Sequence, residues 1–244
     1  MKIRMLAIGA HPDDVELSCS GTLLLHQAKG WTVGILDLTQ GELGSRGSIE
    51  TRKSEADSAA SILKLDVREN LKFKDGFFEN DESNKRKLIT AIRKYQPDIV
   101  LCPAPKDRHP DHGRAAELVK DACFLSGLVK IETNLDGQPQ SAWRPKKLFN
   151  YIQDQYLEPD FVLDISNYFE TKMQSILAYG TQFHSDREDG PLTYISAEHY
   201  LDQVLYRNAM MGKKIGVAYG EGFICLHSQL GLKDLDSVVL PELV

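Results

Sequence analysis

The 244-residue sequence has no apolar run approaching the roughly 18–20 residues that cross a bilayer, so no membrane segment is expected. The short apolar stretch after Met1-Lys2-Ile3-Arg4 ends at Ala10 and runs into His11, Asp13 and Asp14. That is too short for a secretory signal, and a cytoplasmic protein is the expectation. The chain holds four cysteines, Cys19, Cys102, Cys123 and Cys225, none of them in a Cys-x-x-Cys pair. A four-thiolate metal site is thereby excluded, and the cysteines read as reduced, mostly buried thiols. There is no basic excess: 29 Lys and Arg stand against 35 Asp and Glu, and the densest cationic run is Lys85-Arg86-Lys87. A net charge of −6 disfavours a nucleic-acid surface. The P-loop, G-x-G-x-x-G and H-E-x-x-H signatures are all missing, and Gly41, Gly44 and Gly47 have the wrong spacing for a dinucleotide loop. No repeat, low-complexity tract or linker divides the chain, so residues 1–244 read as one domain.

What is present is an alternation. Short apolar runs at 5–10, 31–38, 67–73 and 98–102 read as strands. Between and after them, 15–29, 49–65, 84–95 and 112–128 read as helices. Strands alternating with helices of this length predict βαβ units and a parallel sheet. The fold class expected is α/β, a Rossmann-like three-layer α/β/α sandwich with a mostly parallel sheet. The second half is less regular: 133–143 reads as an exposed loop, 148–153 and 161–165 as strands, 167–179 and 197–211 as helices.

Two clusters carry chemistry. Ala10-His11-Pro12-Asp13-Asp14-Val15-Glu16 follows the first strand and opens the first helix, putting one imidazole and three carboxylates in six residues. Lys106-Asp107-Arg108-His109-Pro110-Asp111-His112-Gly113 follows the fourth strand and opens another helix. Alone, an Asp-Asp pair is more often a helix cap than a ligand set, and the second cluster could be a solvated loop. Together they lie at the carboxyl ends of one parallel sheet, where ligand crevices form. His11, Asp14 and His112 then supply three ligands of a tetrahedral site with one position open, the catalytic rather than the structural pattern of zinc. Fe2+ suits the same His/His/Asp set.

His-Pro-Asp-Asp-Val-Glu after an N-terminal strand, with His-Pro-Asp-His downstream, resembles the PIG-L/LmbE-like family of zinc N-acetylglucosaminyl deacetylases. The resemblance extends to Thr39-Gln40-Gly41-Glu42-Leu43-Gly44, to Thr51-Arg52 and Glu55, and to Tyr219-Gly220-Glu221-Gly222-Phe223, and looks most like the bacillithiol-biosynthesis branch. It implies zinc on His11, Asp14 and His112, and Asp13 as the general base that activates water. It implies His109 as the group that stabilises the oxyanion or protonates the leaving amine, with Asp111 as its orienting partner. Arg52 and Arg108 match positions that contact substrate. The implied substrate is a small amino-sugar conjugate, N-acetylglucosaminyl malate, and the implied assembly a homo-oligomer, with hexamers known in the family.

Two alternatives stand beside this reading. One is deacetylation of free N-acetylglucosamine or chitooligosaccharides; two guanidinium forks near the sugar favour an anionic aglycone over it. The other is a non-catalytic sugar- or metal-binding protein, against which the second carboxylate, Asp13, counts. His184, His199 and His227 are expected to be surface or core histidines rather than ligands.

Overall fold

The computed structural model describes residues 1–183, 190–226 and 231. The first half alternates as expected: β1 (Met5–Gly9), α1 (Asp14–Gln27), β2 (Val33–Thr39), α2 (Ile49–Ile62), β3 (Val67–Phe73), α3 (Glu82–Tyr95), β4 (Ile99–Cys102) and α4 (Pro110–Leu125). The second half follows with β5 (Asn134–Leu135), β6 (Gln138–Pro139), β7 (Lys147–Tyr151), β8 (Phe161–Asp164), α5 (Phe169–Leu177), α6 (Gly180–Phe183), α7 (Tyr200–Ile215) and β9 (Gly220–Cys225). Seven strands form one sheet in the order β3-β2-β1-β4-β7-β9-β8. The first five are parallel, and β9 runs antiparallel to both β7 and β8.

The period-2 geometry of a strand explains the layers. Leu6 and Ile8 of β1 and Leu36 and Leu38 of β2 pack on one face against Leu88 and Ile92 of α3 and Leu118 and Val119 of α4. Met5 and Ala7, with Val33 and Ile35, face the other way onto Val15, Cys19 and Leu23 of α1. Both faces are therefore covered, which is why the central strands read as unbroken apolar runs. β1 pairs with β2 on one side and β4 on the other, so the strand order reverses beside β1. The loops leaving β1 and β4 flank the crevice opened by that reversal.

Helix α1, which opens at Asp14, is held in two parts. Cys19 breaks it with φ −144° and ψ 17°. Beyond the break the Glu221 carboxylate of β9 accepts from the backbone N–H groups of Gly21 (3.0 Å) and Thr22 (2.7 Å) and from the Thr22 hydroxyl (2.6 Å). Lys172 of α5 meets the same carboxylate at 2.6 Å, with both side chains buried. Every lone pair is used, the condition under which a buried ion pair is tolerated.

Two sequence expectations change. The 133–143 stretch is not simply a loop: it holds the hairpin of β5 and β6, turning on Asp136 (φ 50°) and Gly137 (φ 77°). Asp-Gly with both residues at positive φ is the hairpin turn chemistry that the composition of the segment concealed. The 219–223 segment, noted for its resemblance, is strand β9. Its glycines hid it, and Gly220 is required by close approach: a Cβ there would sit 2.6 Å from Val162 and 3.0 Å from the backbone nitrogen of Gly212.

Candidate metal centre and active-site cleft

The crevice is a cleft of ≈ 350 Å³ whose walls include His11, Asp13, Asp14, Arg52, His109 and His112. A larger groove of ≈ 800 Å³ is apolar, contains Phe124 and Phe149, and has none of these groups. The two sequence clusters thus meet in three dimensions.

His11 leaves β1 and donates its backbone N–H to Asp14 Oδ2 at 2.8 Å. His11 Nδ1 lies 3.5 Å from Asp14 Oδ2, and His112 Nε2 lies 3.2 Å from Asp14 Oδ1. Ligand atoms ~2.1 Å from a tetrahedral zinc stand about 3.4 Å apart, so each histidine stands at ligand spacing from one oxygen of Asp14. The far nitrogen of each imidazole meets a carboxylate: His11 Nε2 is 3.0 Å from Asp75, and His112 Nδ1 is 2.5 Å from Asp107. Such carboxylate–imidazole pairs orient metal-binding histidines. The residues present therefore fit a divalent metal held by His11, His112 and Asp14. His11 converges with His109 and His112 and, separately, with Asp75 and Asp111. That second grouping is an outer support, because Asp111 is already bonded to Arg114 (2.6 Å) and the Gly76 N–H (2.8 Å), and Asp75 to the Leu43 N–H (2.9 Å).

The electrostatics follow from this crowding. Burial alone would depress His112, but the Asp14 charge and the Asp107 and Asp14 hydrogen bonds raise it to about 9. His11 likewise ends well above its usual range, burial being outweighed by bonds to Asp111, Asp14 and Asp75. Asp13 behaves oppositely: burial, opposed by Arg52 and reinforced by Asp14, lifts it to about 7.

Asp13 sits at the start of α1 with φ 121° and ψ −24° and makes no capping hydrogen bond. The helix-cap reading of the Asp pair thus does not describe it. A non-glycine residue held there costs of order 1–3 kcal/mol and belongs to turns over-determined by their surroundings. Arg52 provides part of that constraint, donating Nη2 to the Pro12 carbonyl at 2.7 Å and to Asp13 Oδ2 at 3.2 Å. Gly41, at φ 67°, lets the guanidinium lie close: a Cβ would be 3.3 Å from Nη2.

Several placements differ from the sequence expectations. Arg52 is buried in the cleft wall and bonded to the Asp13 turn through Nη2, while its Nε has no partner among the described residues. Arg108 is at the rim, 48% exposed, 3.2 Å from Asp154 and stacked 4.3 Å over Tyr194. The Asp111 carboxylate faces His11 at 3.4 Å rather than orienting His109. It is the backbone N–H of Asp111 that donates to His109 Nδ1, at 3.2 Å. That bond leaves the His109 proton on Nε2, and burial together with His11 and His112 pulls its pKa down. His109 is thus oriented to donate through its Nε2–H. Asp37 turns away to a two-pronged pair with Arg68, 2.8 and 3.0 Å, behind the cleft. His199 is exposed, and His184 and His227 lie outside the described residues.

Asp75, Asp107 and Gln153 were not singled out. All three follow parallel strands, β3, β4 and β7, so the strand-end rule that found His11 and His112 also points to them.

Imidazoles and a carboxylate converging at the carboxyl ends of a parallel sheet, with a second carboxylate alongside, define the class of metal-assisted hydrolases. The chain belongs to the PIG-L family, whose profile, described as GlcNAc-PI de-N-acetylase, matches residues 6–123. The diacetylchitobiose deacetylase of Thermococcus kodakarensis is 29% identical, over 90% of this chain and 81% of that protein. A probable N-acetyl-alpha-D-glucosaminyl L-malate deacetylase 2 of Bacillus subtilis is 27% identical, over 75% of this chain and 84% of that protein. The solved structure of the conserved protein TT1542 from Thermus thermophilus superposes with a TM-score of 0.83 at 34% identity, covering 95% of this chain and 98% of that one. Among the described residues no helix is long and apolar enough to cross a membrane.

Proposed function

We propose that the chain is a zinc-dependent deacetylase that removes the N-acetyl group from a glucosamine conjugate, with N-acetylglucosaminyl malate, the bacillithiol-pathway substrate, as its physiological target. The observation that carries the reaction is the pairing of Asp13 with the His11–Asp14–His112 cluster. Metal binding alone has no use for a second buried carboxylate on a strained turn. Zinc held by those three residues would supply water activation near neutral pH and polarisation of the acetyl carbonyl. Asp13, lifted to about 7 by burial, has the affinity of a base that accepts a proton from water and passes it on at physiological pH. Arg52 keeps that carboxylate aimed into the cleft. His109, with its proton fixed on Nε2, donates a hydrogen bond to the acyl oxygen as charge develops there. Collapse of the tetrahedral adduct then requires a proton on the leaving amine, which Asp13, having taken one from water, is placed to give.

The aglycone is read at the rim. Arg108 presents a half-exposed guanidinium beside His109, and a planar fork suits the carboxylates of malate. The malate relative from Bacillus subtilis supports this choice. A second reading, a neutral chitooligosaccharide, is favoured by one observation: with Arg52 engaged at Asp13, the guanidinium left at the rim to recognise an anion is that of Arg108, and Asp154 already shares it. The Thermococcus relative supports that alternative. Acetate release from N-acetylglucosaminyl malate, diacetylchitobiose and N-acetylglucosamine, each with and without a chelator, tests both. Preference for the malate conjugate supports the first reading and preference for diacetylchitobiose the second. Chelator-insensitive or absent turnover on all three overturns both. A cytoplasmic homo-oligomer, as in the family, remains part of the proposal.

A further inference from the structure

We infer that Gln153 and Arg207, from the part of the chain beyond the family match, form a strut that positions the metal-binding carboxylate of Asp14. The inference rests on the metal reading above. Gln153 follows β7, is 3% exposed, and donates Nε2 to Asp14 Oδ1 at 2.5 Å. Because a carboxylate only accepts, that bond fixes which end of the carboxamide faces Asp14. The other end, Oε1, is buried without a hydrogen-bond partner. A buried amide that leaves half its hydrogen-bonding capacity unused costs stability. Among the described residues the carboxamide bonds to Asp14 alone, so its use is there and not in holding the fold.

Arg207 of α7 completes the strut. One Nη donates to the Gln153 backbone carbonyl, and Nη2 donates to the Leu17 carbonyl at 3.0 Å. A single guanidinium thus ties the loop after β7 to the first turn of α1, on either side of Asp14. Asp14 is held at both oxygens: Oδ2 by the His11 N–H and Oδ1 by Gln153. With the carboxylate plane fixed, one oxygen faces each histidine, as the 3.5 and 3.2 Å spacings show. Gln153 and Arg207 are positioning residues, acting through Asp14.

The test is zinc affinity, measured by competition with a chromogenic chelator on the full chain, alongside the melting temperature of the metal-free protein. Gln153→Met preserves length and burial but removes the donor. The expected result is 10–100-fold weaker zinc binding, the usual effect of losing a partner behind a metal ligand, with the metal-free melting temperature unchanged or higher. Gln153→Glu, which keeps the shape but sets a second acceptor against Asp14, is expected to lower the metal-free melting temperature without restoring affinity. Arg207→Met, one bond further back, is expected to weaken zinc binding by less than Gln153→Met. Zinc affinity of Gln153→Met within twofold of the parent overturns the strut. A parent protein that fails to bind one zinc per chain overturns the metal reading instead, so the two failures are distinguishable.

Discussion

The floor and the rim of the cleft are built by different rules. On the floor, Arg52 is 7% exposed and its guanidinium is bonded to the turn that carries Asp13. On the rim, Arg108 is 48% exposed and bonds to Asp154 at 3.2 Å. The sequence presents these arginines as equivalents, each beside a metal-binding cluster. The fold separates them: one is part of the catalytic turn, the other faces what enters. Chemistry is set where polar atoms are buried and bonded to one another, and substrate choice where they are half free.

Four measurements break or sharpen that contrast. The largest effect belongs to His112→Ala, which removes a floor ligand: metal content and acetate release are both expected to vanish while the far-UV spectrum is retained. Full metal occupancy in that variant overturns the ligand assignment. Next is Asp13→Asn, which keeps shape and removes the proton acceptor. Its kcat is expected to fall by ~10²–10⁴-fold with metal content unchanged, and metal loss would mark Asp13 as a ligand.

The third effect is a pH dependence of metal uptake. In the metal-free protein His112 is held at about 9 by Asp14 and Asp107, whereas the metal takes the unprotonated ring. His112 is protonated below that pH and must release a proton when metal binds. Zinc affinity should therefore rise with pH until about 9, by roughly tenfold per pH unit from this group, about 100-fold between pH 6 and 8. Calorimetry in buffers of different ionisation heat reads the released proton directly, and pH-independent affinity would sink the assignment. The same raised pKa means that His112 favours folding of the metal-free protein most below pH 6.5, an advantage lost as the pH climbs through about 9.

The smallest effect is at the rim. Arg108→Lys should lower kcat/KM for N-acetylglucosaminyl malate by about tenfold and leave diacetylchitobiose almost untouched. A charged hydrogen bond is worth about 1.5–3 kcal/mol, but at an exposed site only the lower part of that range survives screening. Equal losses on both substrates place Arg108 with the floor and erase the contrast.

The parallel half of the sheet was legible because strand and helix periods alternate without interruption from β1 to α4. The clusters after β1 and β4 stood out because Asp and His are crowded there. What stayed hidden depends on side-chain direction. No spacing rule could show that Asp111 turns to His11, or that Arg52 folds over Gly41 onto Asp13. Asp75 and Gln153 follow strands that carry no cluster of Asp and His, so their place at a strand end was the one signal pointing to them. Strand β9 was obscured by glycines that the packing of α7 demands.

The backbone at Asp13 has a consequence for how this protein can be improved or spoiled. A φ of 121° is a conformation glycine enters freely and aspartate does not. Selection for heat resistance without an assay should drift toward glycine at position 13. Such a variant relieves strain and removes a buried acid, while Arg52 keeps its bond to Pro12. It would be expected to fold at least as well as the parent and to release no acetate. Thermal stability and turnover are thus opposed at a single residue, and a library screened for both should retain aspartate there while it accepts change almost anywhere on the rim.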